Sequence, residues 1–517
     1  MNTERYDDTK LWRVVATPAG AGILLGFVLA AVVLPAAFFP IADPDVWWIA
    51  AAGREMLSSG HVPRENTYSF VDAAHPWIMH EWLHAVPYAL GCAAFGPAFF
   101  ALVAIVVACA MAWLVIRETV LRARHFSAGV AMATLALVLF AQRTGTARPL
   151  GSAEVLAVAM VSIAFNRRLE WWQATAAVAL ELVWANAHGS FPLGIAILAA
   201  GAVASRARAP HLVALGGAAV ATFVNPYGAK LHLLVKAYAT GRGEPFATLH
   251  ARVLEYAPMW RAAYHEVVSP FQVAGLCALL IATAVAITTT RAGDDARSAS
   301  RAWLAAAMLG AGIVHARHAE LGGLLACVLL MPWMDALVDA MRKGRPPETV
   351  ARTLVLRCIP VVAAMALLLL AFVARGRSRE DWVDASTGGR SFAHLATRIP
   401  DRARTYASFR SAGLLIWLAY PREVRPLYDS RNDCYSQEVM TAAFALEDGD
   451  QTPTQILATF DRFEIDAALV PDDPLAGAAP DVTWLEMGRI GRALLTSPGW
   501  SILASAPGYT LFLRTPQ

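Results

Sequence analysis

Residues 41–91 read IADPDVWWIAAAGREMLSSGHVPRENTYSFVDAAHPWIMHEWLHAVPYALG. The stretch mixes acids, histidines, prolines and tryptophans, and apolar runs stand on both sides of it, at 18–40 and from residue 97 onward. A polar, aromatic-rich segment between two such runs marks a place where a chain leaves a bilayer and returns to it. The surrounding sequence bears this out. Apolar runs recur near 97–116, 127–142, 150–165, 173–187, 190–205, 211–226, 269–290, 302–314, 319–334 and 354–374. With 18–40 they predict about eleven transmembrane helices. The apolar stretch 83–96 contains Pro87 and reads as an interfacial or re-entrant helix.

Composition agrees with this. The 517 residues are 57% hydrophobic and only 16% charged, against about 25% charged in a soluble domain. An ordinary cytosolic enzyme and a disordered chain are both excluded. A net charge of +3 is too small to imply a nucleic-acid partner. Of the six cysteines only Cys434 lies in a polar stretch, so no disulfide framework is implied.

Arginine sets the orientation. Arg117, Arg122 and Arg124, then Arg167 and Arg168, Arg206 and Arg208, Arg291, Arg297 and Arg301, and Arg342 to Arg357 fall in alternate loops. The other loops are poorer in positive charge, and two of them, 41–84 and 227–268, are long. By the positive-inside rule the N-terminus is cytoplasmic and the long loops are extracytoplasmic. The expected location is a bacterial inner membrane, with the first span retained rather than cleaved as a signal.

Near residue 375 the apolar runs end. Strand-like pieces at 425–428, 467–470 and 501–513, the last a hairpin around Pro507-Gly508, alternate with helix-like pieces at 436–447, 453–463 and 483–496. Residues 1–374 therefore read as a transmembrane module. Residues 375–517 read as a small C-terminal α/β domain, outside the membrane after an odd number of spans. Its Tyr428-Asp429-Ser430-Arg431-Asn432-Asp433 stretch has no catalytic spacing and reads as a strand-to-helix loop.

In the first outer loop Asp43 and Asp45 stand just beyond the first span, followed by Trp47 and Trp48 and a helical segment to about Ser59. One reading is an interfacial helix with its tryptophans at the headgroups and its acids in water. The other is that carboxylates fixed at a membrane surface act as general base or metal ligand for a substrate presented there. Asp45, Trp48, Arg54-Glu55-Met56-Leu57, Gly60, Pro63, His75-Pro76-Trp77 and Glu81-Trp82 follow one another in an order that resembles the first extracytoplasmic loop of GT-C glycosyltransferases. The resemblance is to the dolichyl-phosphate-mannose, aminoarabinose and Rgt-like branch. It covers about residues 41–100 and extends loosely, through the layout of spans, to 374. Two departures stand out. The usual Asp-Glu pair is Asp45-Val46 here, with Asp43 as a substitute, and the basic residue before the proline is His75.

The resemblance implies a GT-C-like polytopic enzyme. It would transfer a sugar, with inversion, from a polyprenyl-phosphate carrier to an acceptor. Asp45 is then the expected base, with Asp43 second. Glu81 and His75 are expected in substrate binding. Cations for the leaving phosphate are Arg143 and Arg148, and the cluster His315, Arg317, His318. These cations equally fit side chains that reach for lipid headgroups.

Within the same loop, His80-Glu81-Trp82-Leu83-His84 matches H-E-x-x-H, which on a helix offers His80 and His84 to a metal. A divalent metal is thus the one cofactor this sequence suggests, either in a zinc protease or assisting glycosyl transfer. Against the protease stand the lack of an evident third ligand and Pro87 three residues on. A transporter or flippase with an exterior domain is the remaining alternative, kept open by Glu154 and Glu181 within spans. Glu255-Tyr256 reads either as an aromatic wall for a sugar or as an interfacial anchor.

Overall fold

A computed structural model describes residues 18–38, 41–141, 146–166, 168–205, 208–264, 268–290, 296–341, 388–447, 451–471 and 482–515. The chain is mostly helical with one small sheet. Among the described residues each expected apolar run is a helix, from Pro18–Val33 through Met331–Met341. The last run, 354–374, lies outside them. Two helices, Ala98–Leu121 and Pro270–Thr289, are by themselves long and apolar enough to cross a membrane. Ala316–Leu329 and Met331–Asp339, bent by 47° at their junction, make a third if taken as one span. The shorter apolar helices, such as Phe126–Phe140, Pro149–Ala164 and Pro192–Ala204, have 10–17 residues. At 1.5 Å per residue they fall short of a hydrocarbon core about 30 Å thick. Their lengths do not by themselves establish the count of eleven.

Contacts divide the chain into two compact units. The first takes residues 1–38, 101–225 and 254–373. Its side-chain bonds sort the loops into two sets. Arg122 reaches Glu118 at 2.7 Å and Asn166 at 3.3 Å, Arg124 pairs with Asp339 at 3.1 Å, and Ser300 donates to the Ala200 carbonyl at 2.6 Å. All of these come from the Arg-rich loops or the span ends beside them. In the other set, Asn186 donates to the Val224 carbonyl at 2.9 Å and Arg148 meets Glu255 at 3.3 Å. The pairings follow the loop alternation read from the arginines.

The second unit comprises 39–100, 226–253 and 374–517. These are nearly the three segments expected outside the membrane. Its sheet has the order β2-β1-β3-β5-β4, with β1 Arg404–Ala407, β2 Arg425–Pro426, β3 Ala467–Pro471, β4 Trp500–Ala506 and β5 Tyr509–Arg514. β1 runs parallel to β2 and β3, whereas β5 is antiparallel to β3 and β4. Pro507 and Gly508 turn the last hairpin, with Gly508 at φ 86. β3 is buried throughout, as its unbroken apolar run AALVP requires.

Two helices of this unit set the position of the first loop's acids. Asp45–Ser59 packs on Trp82–Phe95 so closely that a Cβ on Gly53 would lie 1.9 Å from the Ala85 carbonyl oxygen. Helix Phe409–Ala419 packs on the opposite part of Asp45–Ser59, and a Cβ on its Gly413 would lie 2.5 Å from the Pro44 carbonyl oxygen. Only glycine permits either approach. Together they clamp the turn from which Asp45 projects.

Candidate functional site

Asp45 is the first residue of its helix and half-buried. Its backbone N–H donates to Asp43 Oδ1 at 2.9 Å, which closes the Asp43-Pro44-Asp45 turn. Two side chains converge on Asp45 Oδ1. Ser430 Oγ donates at 2.5 Å, and Trp48 Nε1 donates at 3.1 Å. The same indole N–H lies 3.2 Å from Ser430 Oγ, which completes a triangle of polar atoms. Trp48 is only 5% exposed and packs edge-on against Trp77, with ring centroids 5.8 Å apart.

Ser430 belongs to the stretch that reads, in sequence, as a plain connecting loop. Here it is a buried polar plug. Asp429 and Arg431 form an ion pair at 2.7 Å with both side chains wholly inaccessible to water. Asp429 also accepts from the Arg431 backbone N–H at 2.9 Å and from the Tyr435 hydroxyl at 2.7 Å. The Arg431 guanidinium donates to Asn66 Oδ1 at 2.9 Å and lies over the rings of Trp77 and Tyr68, at 4.7 and 4.9 Å. A buried charge persists only when paired and surrounded in this way. The first outer loop and the 428–436 segment are joined at several further points. Asn66 Nδ2 donates to the Cys434 carbonyl, Ser69 Oγ to the Leu427 carbonyl, and the Ser436 N–H to Asp72. Tyr428 is held from the other side by Glu447, at 2.6 Å.

Asp433, at the end of the plug, is buried and has no hydrogen-bond partner for Oδ2 among the described residues. Burial pushes its carboxyl up to about 6, a shift the nearby His80 opposes and Glu81 reinforces. His80 and Glu81 lie 3.7 Å apart. Both precede the helix, which begins at Trp82 with Glu81 as its cap. The His80-to-His84 motif is therefore not on one continuous helix. The His84 ring meets Tyr88 edge to face, with ring centroids 5.7 Å apart. Among the described residues no three His, Cys, Asp or Glu side chains are grouped to hold a metal ion.

His75 sits where the loop turns back. Its ring contacts the Pro76 carbonyl at 3.2 Å, and its backbone pairs with Asn66 and Asp72. In the first unit the expected phosphate cations come together from distant stretches. Arg148 pairs with Glu255, while Arg317 donates to the hydroxyl of the adjacent Tyr256 and lies 4.7 Å from that ring's centre. His315 Nδ1 is 2.7 Å from the Tyr256 carbonyl oxygen, and the His315 and His318 rings are 6.2 Å apart. Arg143 lies outside the described residues. Glu154 and Glu181 are both buried in their helices.

The sequence offers Asp43, Asp45 and these cations as candidates and reads 428–433 as a plain loop, whereas the contacts of Ser430, Asp429-Arg431 and Asp433 appear only in the structure. The one signal available was the density of polar residues in DSRND directly after the apolar RPLY.

No family model and no curated protein matches the sequence. Solved structures do match. The archaeal oligosaccharyltransferase AglB from Archaeoglobus fulgidus, in complex with an inhibitory peptide and a dolichol-phosphate, aligns over 98% of this chain and 74% of its own, with a TM-score of 0.50 and 11% identity. The Archaeoglobus fulgidus oligosaccharyltransferase tethered to an acceptor peptide aligns over 95% and 74%, with a TM-score of 0.50 and 12% identity. ArnT from Cupriavidus metallidurans, bound to undecaprenyl phosphate, aligns over 98% and 99% with a TM-score of 0.44. The likeness to the oligosaccharyltransferases is one of fold. At 11–12% identity it extends no further than the fold.

Proposed function

We propose that the chain transfers a sugar from a polyprenyl-phosphate carrier to an acceptor hydroxyl, with inversion, at the extracytoplasmic face of a bacterial inner membrane. The observation that carries this is Asp45. In a chain of GT-C fold it is a carboxylate fixed at the head of the first outer helix, held by Ser430 and Trp48. The oligosaccharyltransferase of the same fold is seen with a dolichol-phosphate, which supports a lipid phosphate as the leaving group here.

In the reaction Asp45 takes the proton of the acceptor hydroxyl as that oxygen attacks the anomeric carbon. The bond from this carbon to the phosphate oxygen breaks, and its electron pair leaves with the lipid phosphate. Cations stabilise such developing charge, and the resemblance read in the sequence offers Arg317 and Arg148 for it. Both are pre-ordered by their partners Tyr256 and Glu255. Purified full-length protein in nanodiscs should bind undecaprenyl phosphate. Arg317→Ala should weaken that binding about 10-fold or more, the worth of a hydrogen bond to a charged group. Native mass spectrometry showing no binding to the wild type would sink the reading. Equal binding by the variant would remove Arg317 from it.

The same proposal places the N-terminus in the cytoplasm and residues 375–517 outside, because the Arg-rich loops alternate with the long ones. Reporters fused after Gly376 should be active only outside the cytoplasm. Activity confined to the cytoplasm would reverse every placement.

A further inference from the structure

We infer that Ser430, 385 residues from Asp45 in sequence, is a positioning residue for the catalytic carboxylate, so that the C-terminal segment completes the site of the first outer loop. The inference rests on Asp45 being the base.

Three observations carry it. Ser430 Oγ stands 2.5 Å from Asp45 Oδ1, and Trp48 Nε1 lies within hydrogen-bond distance of both. A carboxylate with two donors on one oxygen has lost the rotation about its terminal bond that a general base must not have while it waits for an acceptor proton. Second, Ser430 is itself immobilised. It is flanked by the buried Asp429–Arg431 pair, and its carbonyl accepts from Asn432 Nδ2 at 2.9 Å. Asn432 adopts a left-handed φ of 48, a conformation favourable to asparagine and costly to most residues. Third, Gly413 of the C-terminal segment lets a helix approach the Pro44 carbonyl, which fixes the backbone beneath Asp45 from the same direction. A purely structural loop needs none of this convergence on one carboxylate oxygen.

The test uses the full chain in nanodiscs with a polyprenyl-phosphate sugar that the wild type turns over. Ser430→Ala should lower kcat about 10- to 100-fold, the worth of a hydrogen bond to a charged group, and leave KM for the lipid-linked donor unchanged. Ser430→Thr keeps the hydroxyl and should recover most of kcat.

If Ser430→Ala melts far below the wild type, Trp48→Phe becomes the second probe. It removes the shared indole donor while keeping a ring, and should lower kcat with KM for the donor unchanged. A wild-type kcat in the soundly folded variants would overturn the positioning role and leave Asp45 as base. A fully active Asp45→Asn would instead overturn the base assignment itself, whatever Ser430→Ala does.

Discussion

Asp45→Asn should reduce turnover about 100- to 10,000-fold, the usual cost of losing a general base. Asparagine keeps the shape of the side chain, and its carbonyl oxygen can still accept from Ser430 and Trp48. The turn and the helix therefore remain, and only the proton acceptor is lost. KM for the donor should change little, because the lipid phosphate is assigned to Arg148 and Arg317. Under the competing protease reading the order inverts: His84→Ala would abolish activity together with bound zinc, and Asp45→Asn would be nearly silent. Measuring kcat and metal content on the two variants separates these outcomes. Stoichiometric zinc that disappears with His84, beside an unharmed Asp45→Asn, would end the glycosyl-transfer mechanism.

The largest effect on stability should come from Asp429→Ala. The carboxylate faces Arg431 at 2.7 Å, and neither side chain is exposed to water. Removing one partner of a buried pair leaves an uncompensated charge and costs about 3–5 kcal/mol. The Arg431 guanidinium keeps Asn66 and the faces of Trp77 and Tyr68, but none of these supplies the missing negative charge. A melting temperature lower by about 10 °C is expected for a unit of this size. Because Arg431 also joins the first outer loop to the C-terminal segment, the loss should appear as protease sensitivity in both. A variant that melts with the wild type would show that the pair is not what holds them together.

Much of the fold was legible because its signals are local. Apolar runs, the switch to short alternating elements after residue 375, and the Pro507-Gly508 hairpin each declare themselves within a few residues of sequence. The strands at 467–471 and 509–514 and the helices at 437–447, 453–462 and 482–495 lie where the pattern placed them. β1 was not foreseen: RTYA is four residues long and has no alternation to distinguish it from a turn. Of the candidate site, Asp43 and Asp45 stand out in the sequence by their place just beyond the first span. Ser430 was not, since a hydrogen bond spanning 385 residues leaves no periodic trace in either segment. His80 and Glu81 precede the helix that starts at Trp82, a boundary the spacing of His80 and His84 does not reveal.

The central claim is tested most directly by turnover. Full-length protein in nanodiscs would be given a panel of polyprenyl-phosphate-linked sugars with membrane extract as acceptor source, and free polyprenyl phosphate would be followed by mass spectrometry. The account predicts that at least one sugar is consumed, with lipid phosphate released by the wild type and lost to background in Asp45→Asn. Tight binding of lipid phosphate with no release from any donor, or release that persists in Asp45→Asn, would contradict it.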